Sequence, residues 1–355
     1  MINLLLFAGA VLFAGWAPPV VAQDIQAFDL KEWDVEWGGR SRDPAVAPDG
    51  KVWFVGQAGN YIAVFDPRTE QFRRYEIEEG THPHTVIVDE KGMVWYAGNR
   101  NARIGRLDPA TGEIKIVRTG EARDPHTMVF DGKGNIWFTA QGSNRVGRLN
   151  VATEKIDLVT PYEQPANPYG IVVDAKGTLW VALLRTNMVA KIDPGTLAAS
   201  RFKQADEASR ARRLEVTSDG MIWYGDEARG FLGRIDPATG DTKEWQVPGG
   251  PGARPYAITK DDQGRLWFSE TGPEKRLIGF DPKTERFFAV IPVSGTIRHM
   301  FFDPATKMMW FGTDANKIGR IVTTGTLPGR AGSVTRHCSH QARTSLGRSG
   351  SAGRL

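Results

Sequence analysis

The chain has 355 residues, of which 41% are hydrophobic, 24% charged and 10% aromatic. That balance excludes a disordered chain, a collagen and a polytopic membrane protein. The formal charge of +4 hints at an anionic partner, and a single cysteine, Cys338, excludes an intramolecular disulfide.

In chain order, Ile2 to Trp16 comes first, apolar and uncharged, and Val20-Val21-Ala22 then precedes Gln23-Asp24. A short apolar stretch ending in small residues reads as a secretory signal peptide over residues 1–22, cut after Ala22. No Lys or Arg precedes it, so an uncut segment would remain as an anchor. No later apolar run reaches the ~18 residues that span a bilayer. After cleavage no stable membrane span is expected, and the mature protein is placed in the periplasm or outside the cell.

Residues 23–321 carry the fold. Seven tryptophans, Trp53, Trp95, Trp137, Trp180, Trp223, Trp267 and Trp310, recur at spacings of 42, 42, 43, 43, 44 and 43. Each unit reads as a β-rich run, a Gly turn, an apolar-Trp strand, a strand of Ile-Gly-Arg-Leu type, an Asp-Pro turn and a closing strand. Four short strands per repeat is the signature of a β-propeller blade. The expected fold is all-β, a seven-bladed propeller, with the tryptophans as core rings wedged between blades. The seventh repeat stops at Ile321 without a fourth strand, while Ile25 to Trp33 stands alone before the first. Pairing the two would close the ring and hide an edge.

Residues 322–355 contain no Asp, Glu or Lys and five Arg among Ser, Gly and Thr. They read as a disordered tail, which cannot bury enough apolar surface to order itself. Its five arginines take the +4 of the whole chain to −1 for the rest, so the basic balance belongs to the tail.

The first strand of a blade lines the central channel, and its start shares a face with the end of the second strand. Eleven residues before each Trp stand Arg42, His84, His126, Tyr169, Arg212, Tyr256 and His299, with Asp43, His82, Asp124, Arg213, Arg254 and Arg298 nearby. Four residues after each Trp stand Gln57, Asn99, Gln141, Leu184, Glu227, Thr271 and Asp314, with Asp226 and Glu270 one residue earlier in their blades. Polar side chains gathered at one mouth make it the candidate site, against the plainer reading that they only join neighbouring blades. Neutral imidazole can act as a general base. His with Asp or Glu can hold a divalent cation, and arginines suit carboxylate or carbonyl oxygens. No HExxH, P-loop, GxGxxG or G-x-S-x-G motif occurs. Nucleic-acid binding is not expected, since the blades show no basic stripe interleaved with aromatics.

Several runs carry a family resemblance: Asp124-Pro125-His126, Asn135-Ile136-Trp137-Phe138-Thr139, Asn144 to Leu149, Arg254-Pro255-Tyr256-Ala257-Ile258 and Asn316 to Ile321. They resemble the streptogramin B lyase (virginiamycin B lyase) family over residues 35–321. The resemblance implies a seven-bladed propeller that opens a cyclic depsipeptide at its ester by elimination, with Mg²⁺ or another divalent cation and no water. It implies proton abstraction alpha to the ester carbonyl, with the metal stabilising the enolate-like charge. The family motif places Pro-His in blade six, acid-Pro-His in blade seven and a Glu four after the seventh Trp. In register, Tyr256, Ile297, His299 and Asp314 stand there. Rotated to blades two and three, His82-Pro83-His84 and Asp124-Pro125-His126 match the motif, with Gln141 at the Glu position.

The expected catalytic residues are therefore His84, His126, Asp124, His299 and Tyr256. Arg42, Tyr169, Arg212, Arg254 and Arg298 are expected to bind substrate, and Asp124, Gln141, Asp314 and Glu270 to hold the metal. The function expected is an exported, monomeric, metal-assisted lyase on a small-molecule cyclic ester. The alternatives are a non-catalytic binding propeller and a lactonase-type hydrolase with Glu227, Asp226, Glu270 and Asn99 as its metal cage.

Overall fold

The structure is a computed structural model that describes residues 28–324. The expected signal peptide, and the tail from residue 325 onwards, lie outside the described residues. Twenty-eight strands form seven four-stranded antiparallel sheets. Blade one is typical: Ser41–Val46 innermost, then Val52–Gly56, Tyr61–Asp66 and, outermost, Gln71–Glu76. The inner strands of blades two to seven are Pro83–Val88, Pro125–Phe130, Pro168–Val173, Ala211–Val216, Pro255–Lys260 and Ile297–Asp303. They touch one another round the ring. No helix among the described residues is long and apolar enough to cross a membrane.

The ring closes as the sequence suggested. Blade seven supplies Ile297–Asp303, Met308–Thr313 and Lys317–Val322, and Leu30–Asp34 adds its outer strand. Leu30 pairs with Ile321 and Asp34 with Lys317. The last strand ends one residue beyond the expected boundary at 321. Thr323 is buried too, with its amide on the Lys307 carbonyl.

The repeated tryptophans are the core, each only 0–4% exposed. Trp53 packs against Val86, Val94 and Tyr96 of the next blade, and Trp95 against Met128, Ile136 and Phe138. A buried indole N–H needs an acceptor. In four blades this is the Asp six residues earlier: Asp89, Asp131, Asp174 and Asp261 accept from Trp95, Trp137, Trp180 and Trp267 at 3.0–3.1 Å. The Gly of the Ile-Gly-Arg-Leu strand is steric in origin. At Gly147 any Cβ would enter the ring of Phe138 on the adjacent strand.

Candidate functional site

Every inner strand slips its pairing by one residue near its start. The slips fall between Arg42 and Ala45, Pro83 and Val86, Pro125 and Met128, Pro168 and Ile171, Ala211 and Leu214, Pro255 and Ile258, and Ile297 and Met300. A bulge inserts one residue and re-aims its neighbours. Here it acts on the positions eleven residues before each Trp, and their side chains meet across blades at the channel mouth.

The centre of that meeting is Asp43, which sequence reasoning placed beside the site and gave no role. It is fully buried and sits in the left-handed region at φ 50°. Its carboxylate accepts from Arg42 Nε at 2.9 Å, Arg213 Nη2 at 3.0 Å and Thr85 Oγ1 at 3.0 Å, and His84 Nδ1 lies 3.8 Å away. Burial would raise its pKa, but Arg42, then Arg213 and His299, outweigh that and hold it far below the usual carboxylate range. Arg213 also donates to the Arg298 carbonyl at 2.6 Å, which ties blade five to blade seven across the channel. The signal that could have found Asp43 was an acid standing inside an inner strand, one residue past the mouth position.

Around this ion cluster runs a train of rings. His84 and His126 have centroids 3.3 Å apart, His126 and Tyr169 4.4 Å, and Tyr169 and Tyr256 6.0 Å. The Tyr169 and Tyr256 hydroxyls share a hydrogen bond. Arg212 lies 4.6 Å over the Tyr256 ring and 5.2 Å over that of Tyr169, and Arg298 lies 5.6 Å over Tyr256. His84, His126, Tyr169 and Tyr256 are all buried, whereas Arg212, Arg298 and His299 are half-buried. Burial first keeps all three imidazoles neutral, aided next by Arg42 at His84, by His84 at His126 and by Arg213 at His299. His84 and His126 are held well below the usual value, and His299 is lowered to about 3. Burial would raise the Tyr256 hydroxyl, but Arg42, Arg213 and Arg212 outweigh it and leave that pKa below the ordinary phenol. Tyr169, with burial and its partner acting together, is pushed up.

Those imidazoles predict acid lability. Unfolded imidazoles titrate near 6.5, and the folded ones lie lower. As pH falls below about 6.5, the unfolded chain therefore binds more protons, and stability drops until the folded pKa values are reached. Unfolding free energies from urea titration at pH 7 and pH 5 should differ by on the order of 2 kcal/mol for each such imidazole. Equal midpoints would refute the neutral cluster.

The expected metal ligands do not come together. Asp124 accepts from the Gly142 amide at 2.6 Å and from the Ser143 amide and hydroxyl at 3.1 and 2.6 Å, so it ties a turn of blade three instead of meeting His126. Asp314 accepts from the Thr296 amide at 2.7 Å, and Glu270 from the Gly249 amide at 2.8 Å and Arg276 at 2.7 Å. Asp226 likewise accepts from the Arg210 and Ala228 amides, whereas Asn99 donates its Nδ2 to the Asp124 and Pro125 carbonyls. A carboxylate at the end of a blade strand is here a cap for backbone amides. Among the described residues no three His, Cys, Asp or Glu side chains are placed to hold a metal ion. The donor set of Asp124, Gln141, Asp314 and Glu270 therefore does not fit a divalent cation.

What the mouth does offer is unpaired donors. Arg42 Nη2, Gln141 Nε2 and Arg298 Nε are buried without a hydrogen-bond partner, as is His299 Nδ1. Buried polar atoms are rarely left so. Arg254 is more exposed and pairs with Glu227 at 2.7 Å, and Glu227 also pairs with Arg212.

A family model described as the virginiamycin B lyase family matches residues 36–165 and 154–331. A solved streptogramin B lyase is 23% identical, with TM-score 0.75, and the match covers 83% of this chain and 97% of that one. A catalytically inactive histidine-to-alanine variant of virginiamycin B lyase from Staphylococcus aureus, solved with quinupristin, is 24% identical. It has TM-score 0.76 and coverages of 83% and 99%. The extracellular domain of a hybrid two-component system from B. thetaiotaomicron is 17% identical, with TM-score 0.65, over 83% of this chain and 43% of that one. At these identities the likeness shows the fold. No curated protein sequence matches the chain.

Proposed function

The chain belongs to the virginiamycin B lyase family, and from that premise we propose that it is an exported, monomeric carbon–oxygen lyase. Its mouth would bind a small cyclic ester or depsipeptide and open it by elimination. The observation that carries this reading is the set of buried donors without partners, Arg42 Nη2, Gln141 Nε2 and Arg298 Nε. Donors left unpaired around one channel mouth suit a ligand rich in carbonyl oxygens. Export to the periplasm or beyond rests on the apolar segment that ends at Ala22.

Tyr256 stands where the family motif has a histidine, and it takes the base role. Arg42, Arg213 and Arg212 around it favour its phenolate. The phenolate takes the proton alpha to a carbonyl and beta to the ester oxygen. The released pair becomes a carbon–carbon double bond as the alkyl carbon–oxygen bond breaks, and the ester leaves as a carboxylate. The half-buried guanidiniums of Arg212 and Arg298 stabilise the enolate-like charge on the way. No water is consumed.

The test is incubation of the protein with quinupristin and mass spectrometry of the product. Ring opening without mass gain supports elimination, whereas gain of one water points to a lactonase-type hydrolase. Tyr256→Phe should lower turnover about 100-fold, the scale of a lost general base, with an unchanged melting temperature. Full activity in that variant would remove Tyr256 from the chemistry.

A second reading, a non-catalytic binding propeller, is favoured by one observation. His84 and His126 are buried and neutral, and Asp124 and Asp314 are spent on turns. Binding of quinupristin with its mass unchanged and its ring intact would select this reading.

A further inference from the structure

A cavity of about 690 Å³ opens between blades four, five and six on the mouth face. Arg185, Arg210, Arg212 and Arg254 line it, against one acid, Glu227. Its wall thus carries three more positive charges than negative. The Glu227 carboxylate is bonded by Arg212 Nη2 at 2.9 Å and by Arg254 Nη2 at 2.7 Å. Arg210 is turned onto the backbone carbonyls of Glu207 and Ser209, which bring no net charge. Arg185 is exposed at the cavity wall.

We propose that this cavity binds the carboxylate of a small organic anion, with Arg185, Arg210 and Arg254 as its cationic wall. A guanidinium presents a planar fork that matches a carboxylate with two parallel bonds. Glu227 shows the match in place, because the same wall already holds one carboxylate between two guanidiniums. A phosphate would favour a cradle of free backbone amides, but the Ala228 amide of this cavity is already bonded to Asp226. Glu227 therefore acts as a resident competitor that an incoming carboxylate must offset. The inference rests on reading the mouth as the ligand-binding face, and it is independent of turnover.

The test is isothermal titration of citrate and of inorganic phosphate into the protein at roughly 20 mM salt, where charge attraction is little screened. Citrate should bind more tightly than phosphate and weaken as salt is raised. Arg185→Gln should weaken citrate at least fivefold without moving the melting temperature. Glu227→Gln should act in the opposite sense and tighten citrate several-fold, since the competitor is gone. Failure of citrate to bind both the wild type and Glu227→Gln would overturn the proposal. So would an unchanged affinity in Arg185→Gln, or a preference for phosphate. If quinupristin is opened while citrate fails, the lyase reading stands and this one falls. If citrate binds while no ester is opened, the reverse holds.

Discussion

Deletion of residues 28–34 should leave the chain unable to hold a closed ring. The strand Leu30–Asp34 is the fourth strand of blade seven, and its loss exposes the whole edge of Lys317–Val322. Trp33 is stacked on Trp310 at 5.9 Å and packed on Phe65 at 4.8 Å, and Phe28 sits edge-on to Trp267 at 5.1 Å. Leu30 joins the same blade-six to blade-seven core as Phe28. At ~1.5–3 kcal/mol for each fully buried large side chain, these three partly buried groups contribute about 5 kcal/mol. That approaches the whole stability of an ordinary domain, about 5–15 kcal/mol. The expected result is aggregation or loss of cooperative melting, because an unpaired edge also templates association. Trp33→Ala keeps the backbone pairing and should cost about 3 kcal/mol by urea unfolding. If the deletion melts within a degree or two of the parent, strand closure is not what holds the ring.

The second large effect is expected at Asp43. Its carboxylate is the one anion between the buried guanidiniums of Arg42 and Arg213. Removing one partner of a buried ion group leaves the others uncompensated, at about 3–5 kcal/mol. Asp43→Asn is the informative variant. Asn keeps the shape and tolerates the left-handed backbone at φ 50°, so its loss reports the charge and one acceptor oxygen without added strain. Asp43→Ala should lose more, since it adds backbone strain. Urea unfolding at pH 7 checks both. An Asn variant within about 1 kcal/mol of the parent would mean that the cluster is wet and screened.

The fold was legible because its period is enforced by sterics and burial. One Trp per blade, an acceptor six residues earlier in five blades (the four Asp, and Thr217 accepting from Trp223 at 3.0 Å), and a Gly beneath a ring all follow from repeated packing. The mouth was legible as a set of positions, since the distance from each Trp fixes which residues reach it. Its chemistry was not. Asp124 beside Pro125-His126 looks like a catalytic acid in sequence, yet the same carboxylate serves a turn as an acceptor for the Gly142 and Ser143 amides. Spacing cannot separate an acid that caps a loop from one that faces a ligand. The role of Asp43 was hidden for the converse reason. The acid itself stands out inside an inner strand, but its partner Arg213 is 170 residues away, so the sequence does not show what Asp43 pairs with. Tyr256, read first as a departure from a motif, gains its character from Arg42, Arg212 and Arg213, which arrive from blades one and five.

The closure of blade seven also sets an order of events. The strand Leu30–Asp34 leaves the ribosome well before its partner Lys317–Val322, which emerges some 290 residues later, as the Arg320 to Asp29 contact spans 291. Six blades can collapse from strands that are neighbours in sequence, and such local contacts form early. The seventh must wait until Lys317–Val322 has been made. Until then Trp33 and Phe28 are exposed on a tethered strand, and the growing arc ends in a bare edge. Each new copy of the protein thus passes through an open, adhesive arc, and its yield in the cell turns on how quickly the two ends find each other.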